Sequence, residues 1–178
     1  MLVIWLTGVP CSGKTTISNE LVKMFEKDRI DYQQLDGDII RNTPLSEDVG
    51  FTPEDRAKHI RRMGWLSKML VDHGIYVICS FVSPNIEVRE QVRSMIGEKR
   101  FVEVYVECPI DVAIERDVKG MYKKALAGEI ANFTGVDAVY EPPETPNVWV
   151  HTDEENVNIS VDSIYRYILA QQGGCLCE

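Results

Sequence analysis

Gly8-Val9-Pro10-Cys11-Ser12-Gly13-Lys14-Thr15 is the stretch that decides the fold of this 178-residue chain. Residues 2–6 before it, Leu-Val-Ile-Trp-Leu, form an unbroken apolar run and read as a strand covered on both faces. After it, Ile17, Leu21, Met24 and Phe25 recur at helical spacing. A strand, a G-x4-G-K-T loop and an amphipathic helix, in that order, is the arrangement in which backbone amides wrap a phosphate at a helix N-terminus. Lys14 reaches the β- and γ-phosphates of a nucleotide, and the Thr15 hydroxyl is a ligand for Mg²⁺. Gly8, Cys11, Ser12, Gly13, Lys14, Thr15 and Thr16 are thus the expected nucleotide-binding residues. The bland alternative, a chance glycine-rich turn, does not account for the strand and helix on its two flanks.

Outward from this stretch the pattern repeats. Residues 32–35 read as a second, weaker strand ending at Asp36-Gly37-Asp38, and residues 75–81 and 101–106 are apolar runs rich in β-branched and aromatic residues. A long helix begins near Pro53, with Thr52 as its N-cap and Asp55 in an acidic variant of the capping box. Its expected buried stripe is Ile60, Met63, Leu66 and Leu70, and Gly74 marks its end. Residues 148–150 read as a last short strand. Val161, Ile164, Ile168 and Leu169 mark a closing helix. The expected fold is α/β, with a central, mostly parallel sheet and helices on both faces. Residues 118–146 depart from the pattern: they carry Lys119, Lys123, Lys124 and a Pro-rich end, the mark of a functional, mobile lid. One domain over residues 1–172 and a flexible tail at 173–178 complete the organisation.

Nineteen Lys and Arg against 28 Asp and Glu give a formal charge of −9. Nucleic acid is excluded as a partner on that balance, whereas a local cation pocket for a small anion is not. The only early apolar run is too short for a signal or a membrane span, which points to the cytoplasm. Five scattered cysteines without zinc spacing read as free thiols.

A GTPase needs an Asn/Thr-Lys-x-Asp base-reading motif, and the chain has none. The strand at residues 75–81 also lacks the terminal Asp usual in ATPases. The acidic residues instead follow the second strand, as Asp36 and Asp38. Parallel strands end at one edge of a sheet, so this pair faces the γ-phosphate. That placement suits a small-molecule kinase, which binds Mg²⁺ and deprotonates an attacking hydroxyl. Taken alone, Asp-Gly-Asp is a solvated turn.

The chain resembles the adenylylsulfate (APS) kinases, members of the P-loop kinase fold, over nearly its whole length. The blocks that carry the resemblance are residues 8–16, Leu35-Asp36-Gly37-Asp38-Ile39-Ile40-Arg41, Gly50-Phe51-Thr52, Asp55-Arg56, Ile60-Arg61-Arg62 and Phe81-Val82-Ser83-Pro84. Further along come Glu103-Val104-Tyr105-Val106, residues 116–125, Gly128-Glu129-Ile130, residues 132–137 and residues 140–147. The resemblance implies transfer of phosphate from MgATP to the ribose 3'-hydroxyl of APS, giving 3'-phosphoadenylyl sulfate. It makes Asp38 the acceptor of the hydroxyl proton and Asp36 a water-mediated holder of Mg²⁺, with Lys14 and Ser83 completing the catalytic set. Arg41 and Arg56 grip the phosphosulfate, and Phe51 and Phe133 sandwich the substrate adenine. His59, Val82, Ser83 and Lys119 belong to the same substrate site. Lys123 brings further charge to the phosphates, Arg116 lies near the nucleotide, and relatives commonly form homodimers.

Three departures from the commonest pattern stand out. His59 stands where many members have Asn, Asn85-Ile86 follows Ser83-Pro84 where an aromatic residue and then a basic one are usual, and Cys11 replaces a glycine. Ser83 is often described as a phosphoserine intermediate, but direct in-line transfer explains the other residues, so a structural or positioning role is expected. Two alternatives stay open: a kinase acting on another nucleotide's 3'-hydroxyl, and a nucleotide-binding module without turnover.

Overall fold

A computed structural model of the chain describes residues 1–171; the expected domain end at residue 172 and the tail at 173–178 lie outside the described residues. The elements run β1 (Val3–Thr7), α1 (Lys14–Lys27), β2 (Tyr32–Asp36), α2 (Gly37–Ile40), α3 (Pro53–Asp72), β3 (Tyr76–Ser80) and α4 (Ile86–Ile96). They continue with β4 (Phe101–Glu107), α5 (Ile110–Arg116), α6 (Met121–Leu126), β5 (Val148–His151) and α7 (Val157–Gln171). The strands form one sheet in the order β2-β3-β1-β4-β5, and every pairing is parallel.

The apolar strands stay extended because each face of the sheet finds a helical cover. On β1, Ile4 and Leu6 point to one side, where Ile17, Leu21 and Phe25 of α1 meet Val161, Ile164 and Ile168 of α7. Val3 and Trp5 point to the other side, against Ile60 and Met63 of α3 and Val92 and Ile96 of α4. Each such side chain contributes about 1.5–3 kcal/mol on burial, which holds the three layers together. α3 and α4 come so close that a Cβ on Gly64 would lie 2.9 Å from Val92 Cγ2. This contact rotates α3: Gly64, Ser67 and Val71 are buried, and the expected Leu66 and Leu70 only pack at the margin. On α7, Leu169 is exposed and Tyr165 takes its expected place in the core.

A third cluster holds the segment expected as a lid. Tyr122 and Ala125 of α6 and Phe133 pack with Val9, Cys108 and Ala113 beside the phosphate loop.

Candidate active site

The phosphate loop begins where β1 ends, and space dictates its first residue. A Cβ on Gly8 would lie 2.4 Å from Val106 O and 2.8 Å from Ser12 Oγ, so only glycine fits. Cys11 adopts a left-handed φ of 59°, a conformation that glycine enters freely and other residues at a cost of about 1–2 kcal/mol. The buried Lys14 donates from Nζ to Gly8 O (3.0 Å), Val9 O (2.7 Å) and Ser12 Oγ (3.2 Å). Burial lowers its pKa to about 8, with partial opposition from nearby Cys11, Asp38 and Asp36. An entering phosphate offers this ammonium charged acceptors in place of neutral ones.

Asp36 is buried at the end of β2, one strand removed from β1, and the Thr15 hydroxyl donates to its Oδ2 at 2.9 Å. Its Oδ1 accepts from the Asp38 N–H at 2.9 Å and so caps α2. A hydroxyl and a carboxylate, with the remaining positions left to phosphate and water, are the hard oxygen donors that Mg²⁺ takes. Asp38 is exposed at the start of α2, and Lys119 Nζ donates to its Oδ2. The lid cation thus reaches the carboxylate expected to act as base.

Between the start of α3, residues 83–85 and lid residues 132–141 lies a cavity of about 480 Å³, lined by Phe51, Arg56, Ser83, Asn85, Asp137 and Glu141 among others. Phe51 is exposed, with the Arg41 guanidinium 4.4 Å from its ring centroid. Arg56 donates from Nε to Phe51 O at 3.0 Å and from its terminal nitrogens to Asn132 O and Thr134 Oγ1. It ties the start of α3 to the lid with the donors expected for phosphosulfate. Phe133 lies within the lid segment that Arg56 holds, but its ring packs edge-on to Tyr122 at 5.0 Å and forms no part of the cavity lining. His59 is buried away from solvent, 3.1 Å from Ser46 Oγ through Nδ1 and edge-on to Phe81. Burial, together with Arg41 and Arg62, lowers its pKa to about 4.

Val82 O accepts from Thr7 Oγ1 at 2.8 Å. The Ser83 hydroxyl is buried, accepting from Trp5 Nε1 (3.1 Å) and donating to Thr7 Oγ1 (3.0 Å). Its donor and one acceptor position are thus both used inside the core, while the residue also lines the cavity. Lys123 lies on α6, and its N–H donates to Asp117. Thr16 is exposed on the first turn of α1. Arg116 donates to Thr152 Oγ1 (3.1 Å) and Thr152 O (2.6 Å), and Thr152 Oγ1 in turn donates to Ser12 O (2.9 Å). Sequence reasoning gave no role to Thr152, Thr7, Tyr140 or Arg89; Glu103, a charge in the middle of an apolar strand, was the visible signal of the last.

A phosphate loop on the central strand, with hydroxyl and carboxylate oxygens opposite it at the same sheet edge, defines a P-loop kinase. The profile of the adenylylsulphate kinase family matches residues 1–151, and the chain belongs to that family. The adenylyl-sulfate kinase of Thermodesulfovibrio yellowstonii is 48% identical over 93% of this chain and 82% of its own length. The probable adenylyl-sulfate kinase of Aeropyrum pernix is 43% identical over 95% of this chain and 93% of its own. The APS kinase CysC of Mycobacterium tuberculosis, solved in complex with AMPPNP and APS, superposes with a TM-score of 0.90 at 31% identity, covering 94% of this chain and 97% of that one.

Proposed function

We infer that the chain transfers the γ-phosphoryl group of ATP to the ribose 3'-hydroxyl of APS, giving ADP and 3'-phosphoadenylyl sulfate in sulfate activation. The observation that carries the reading is the 2.9 Å contact of Thr15 with Asp36, which joins the phosphate loop to the acidic turn bearing Asp38. Family membership names the acceptor.

In this reading Lys14 neutralises charge on the γ-phosphate as the attacking oxygen approaches in line. Asp38 takes the hydroxyl proton, the new O–P bond forms, and the bond to the β-phosphate oxygen breaks with ADP as leaving group. Thr15 and Asp36 would hold Mg²⁺, which when bound spreads the charge on the β- and γ-oxygens. Arg41 meets the anionic end of APS, and the cavity beginning at Phe51 takes its adenosine end. The lid, through Lys119 and the Arg56 contacts, closes over both. A cytoplasmic location agrees with free Cys11, Cys79 and Cys108, and no helix among the described residues is long and apolar enough to cross a membrane. Assembly as a homodimer belongs to the same proposal and is read by light scattering.

Coupled ADP release with APS tests the reaction, and Asp38→Asn tests the base. The variant keeps ADP affinity and loses most of kcat, since an amide cannot take the proton. ADP release without APS dependence would sink the assignment.

A further inference from the structure

One side chain stitches the inner wall of the acceptor cavity from behind. Arg89 of α4 is 1% exposed. Its Nε donates to Glu103 Oε1 at 2.9 Å, one terminal nitrogen to Ser83 O at 2.7 Å and the other to Glu141 O at 2.7 Å. Glu103, buried in β4, takes Arg93 on its other oxygen at 2.6 Å. The guanidinium is thereby oriented by an ion pair on one edge, and its remaining donors reach two carbonyls that are distant in sequence. Both carbonyls belong to residues of the cavity wall. The same two segments meet again where the Glu141 N–H donates to Pro84 O (2.8 Å) and the Ile86 N–H to Glu141 Oε2 (2.7 Å). Ser83 sits at a φ of 37°, a conformation that persists only where the surroundings hold it. None of these bonds involves the phosphate loop.

We propose that Arg89 is a positioning residue for the acceptor: its fork holds the Ser83 and Glu141 peptide groups together, so that the cavity has its shape before APS arrives. The inference rests on the reading of this cavity as the acceptor site. Preorganising a wall favours the ligand that touches it and leaves the ligand bound elsewhere unaffected.

Arg89→Lys keeps a cation beside Glu103 but cannot span both carbonyls. The expected result is a rise of about tenfold in KM for APS with KM for ATP changed by less than about twofold, the split that marks lost acceptor binding. Amide exchange at Ile86 and Glu141 should accelerate, while the amides of residues 8–15 keep their protection. If Arg89→Lys does not fold, Arg89→Met combined with Glu103→Gln removes the buried ion pair and carries the same test. An unchanged KM for APS, equal rises for both substrates, or unaltered exchange at Ile86 and Glu141 overturns the proposal. Wild-type protein that releases no ADP in response to APS would overturn the functional reading instead, and the exchange measurement alone would then decide whether Arg89 holds the wall.

Discussion

Burial lowers the Lys14 pKa to about 8, and a bound phosphate favours the charged ammonium. Nucleotide binding therefore takes up a proton as pH rises past that value, and ADP affinity is expected to fall by up to about tenfold per pH unit above it. Calorimetry in buffers of different ionisation enthalpy reads the proton directly; a flat affinity across this range would contradict the assignment. Lys14→Ala should lower kcat by about 10² to 10³. His59 carries a different linkage. Its folded pKa is about 4 against an ordinary 6.5, so the unfolded chain binds a proton that the folded chain refuses. Stability on this account is full above the ordinary value and falls as pH drops towards the folded one. Urea unfolding of His59→Asn should show a flatter loss across that window, and an unchanged slope would assign the acid sensitivity to other groups. The strand–loop–helix setting of Lys14 and Thr15 was legible in motif spacing, and the meeting of Thr15 with Asp36 in the rule that parallel strands end at one edge. Arg89 and Thr152 were not legible, because Glu141 lies 52 residues from Arg89 and Ser12 lies 140 from Thr152, and no periodicity encodes either meeting.

The start of α3 is written locally, and the structure follows it. Thr52 Oγ1 accepts from the Asp55 N–H at 3.2 Å and donates to the Asp55 carboxylate at 3.0 Å. Thr52→Ala should cost about 1 kcal/mol and lower Tm by roughly 2–4 °C; a thermal melt with no shift would show the cap to be idle. The face that α3 buries was less legible, since the close approach at Gly64 depends on where α4 lies. In the lid, Phe133 packs edge-on to Tyr122, and Tyr122 Oη donates to Pro10 O at 3.1 Å. Phe133 therefore anchors the lid to the phosphate loop. Phe133→Ala should raise protease cutting within residues 127–147 by about tenfold or more in the absence of ligand, because local opening governs the cutting. Unchanged cutting would mean that the anchor contributes nothing to closure.

At the scale of the molecule, Tyr122, Ala125 and Phe133 pack beside the phosphate loop proposed to bind nucleotide, so on that reading ligand and stability are linked. ADP with Mg²⁺ at a hundredfold excess over Kd should stabilise the fold by about 2.7 kcal/mol, read as an upward shift in Tm that Lys14→Ala abolishes. The sequence by itself determined the parallel sheet, the phosphate loop and the acidic turn, because these rest on local periodicity, on residue spacing and on the rule that parallel strands end at one edge. Tertiary structure alone decided what the arginines and the lid hold. Arg56 spends its donors on Asn132 and Thr134, Arg89 joins Ser83 to Glu141, and Phe133 faces Tyr122. A guanidinium will serve any carbonyl or anion within reach, and an aromatic ring any apolar surface; which one it meets is fixed only when the helices and the lid have packed onto the sheet.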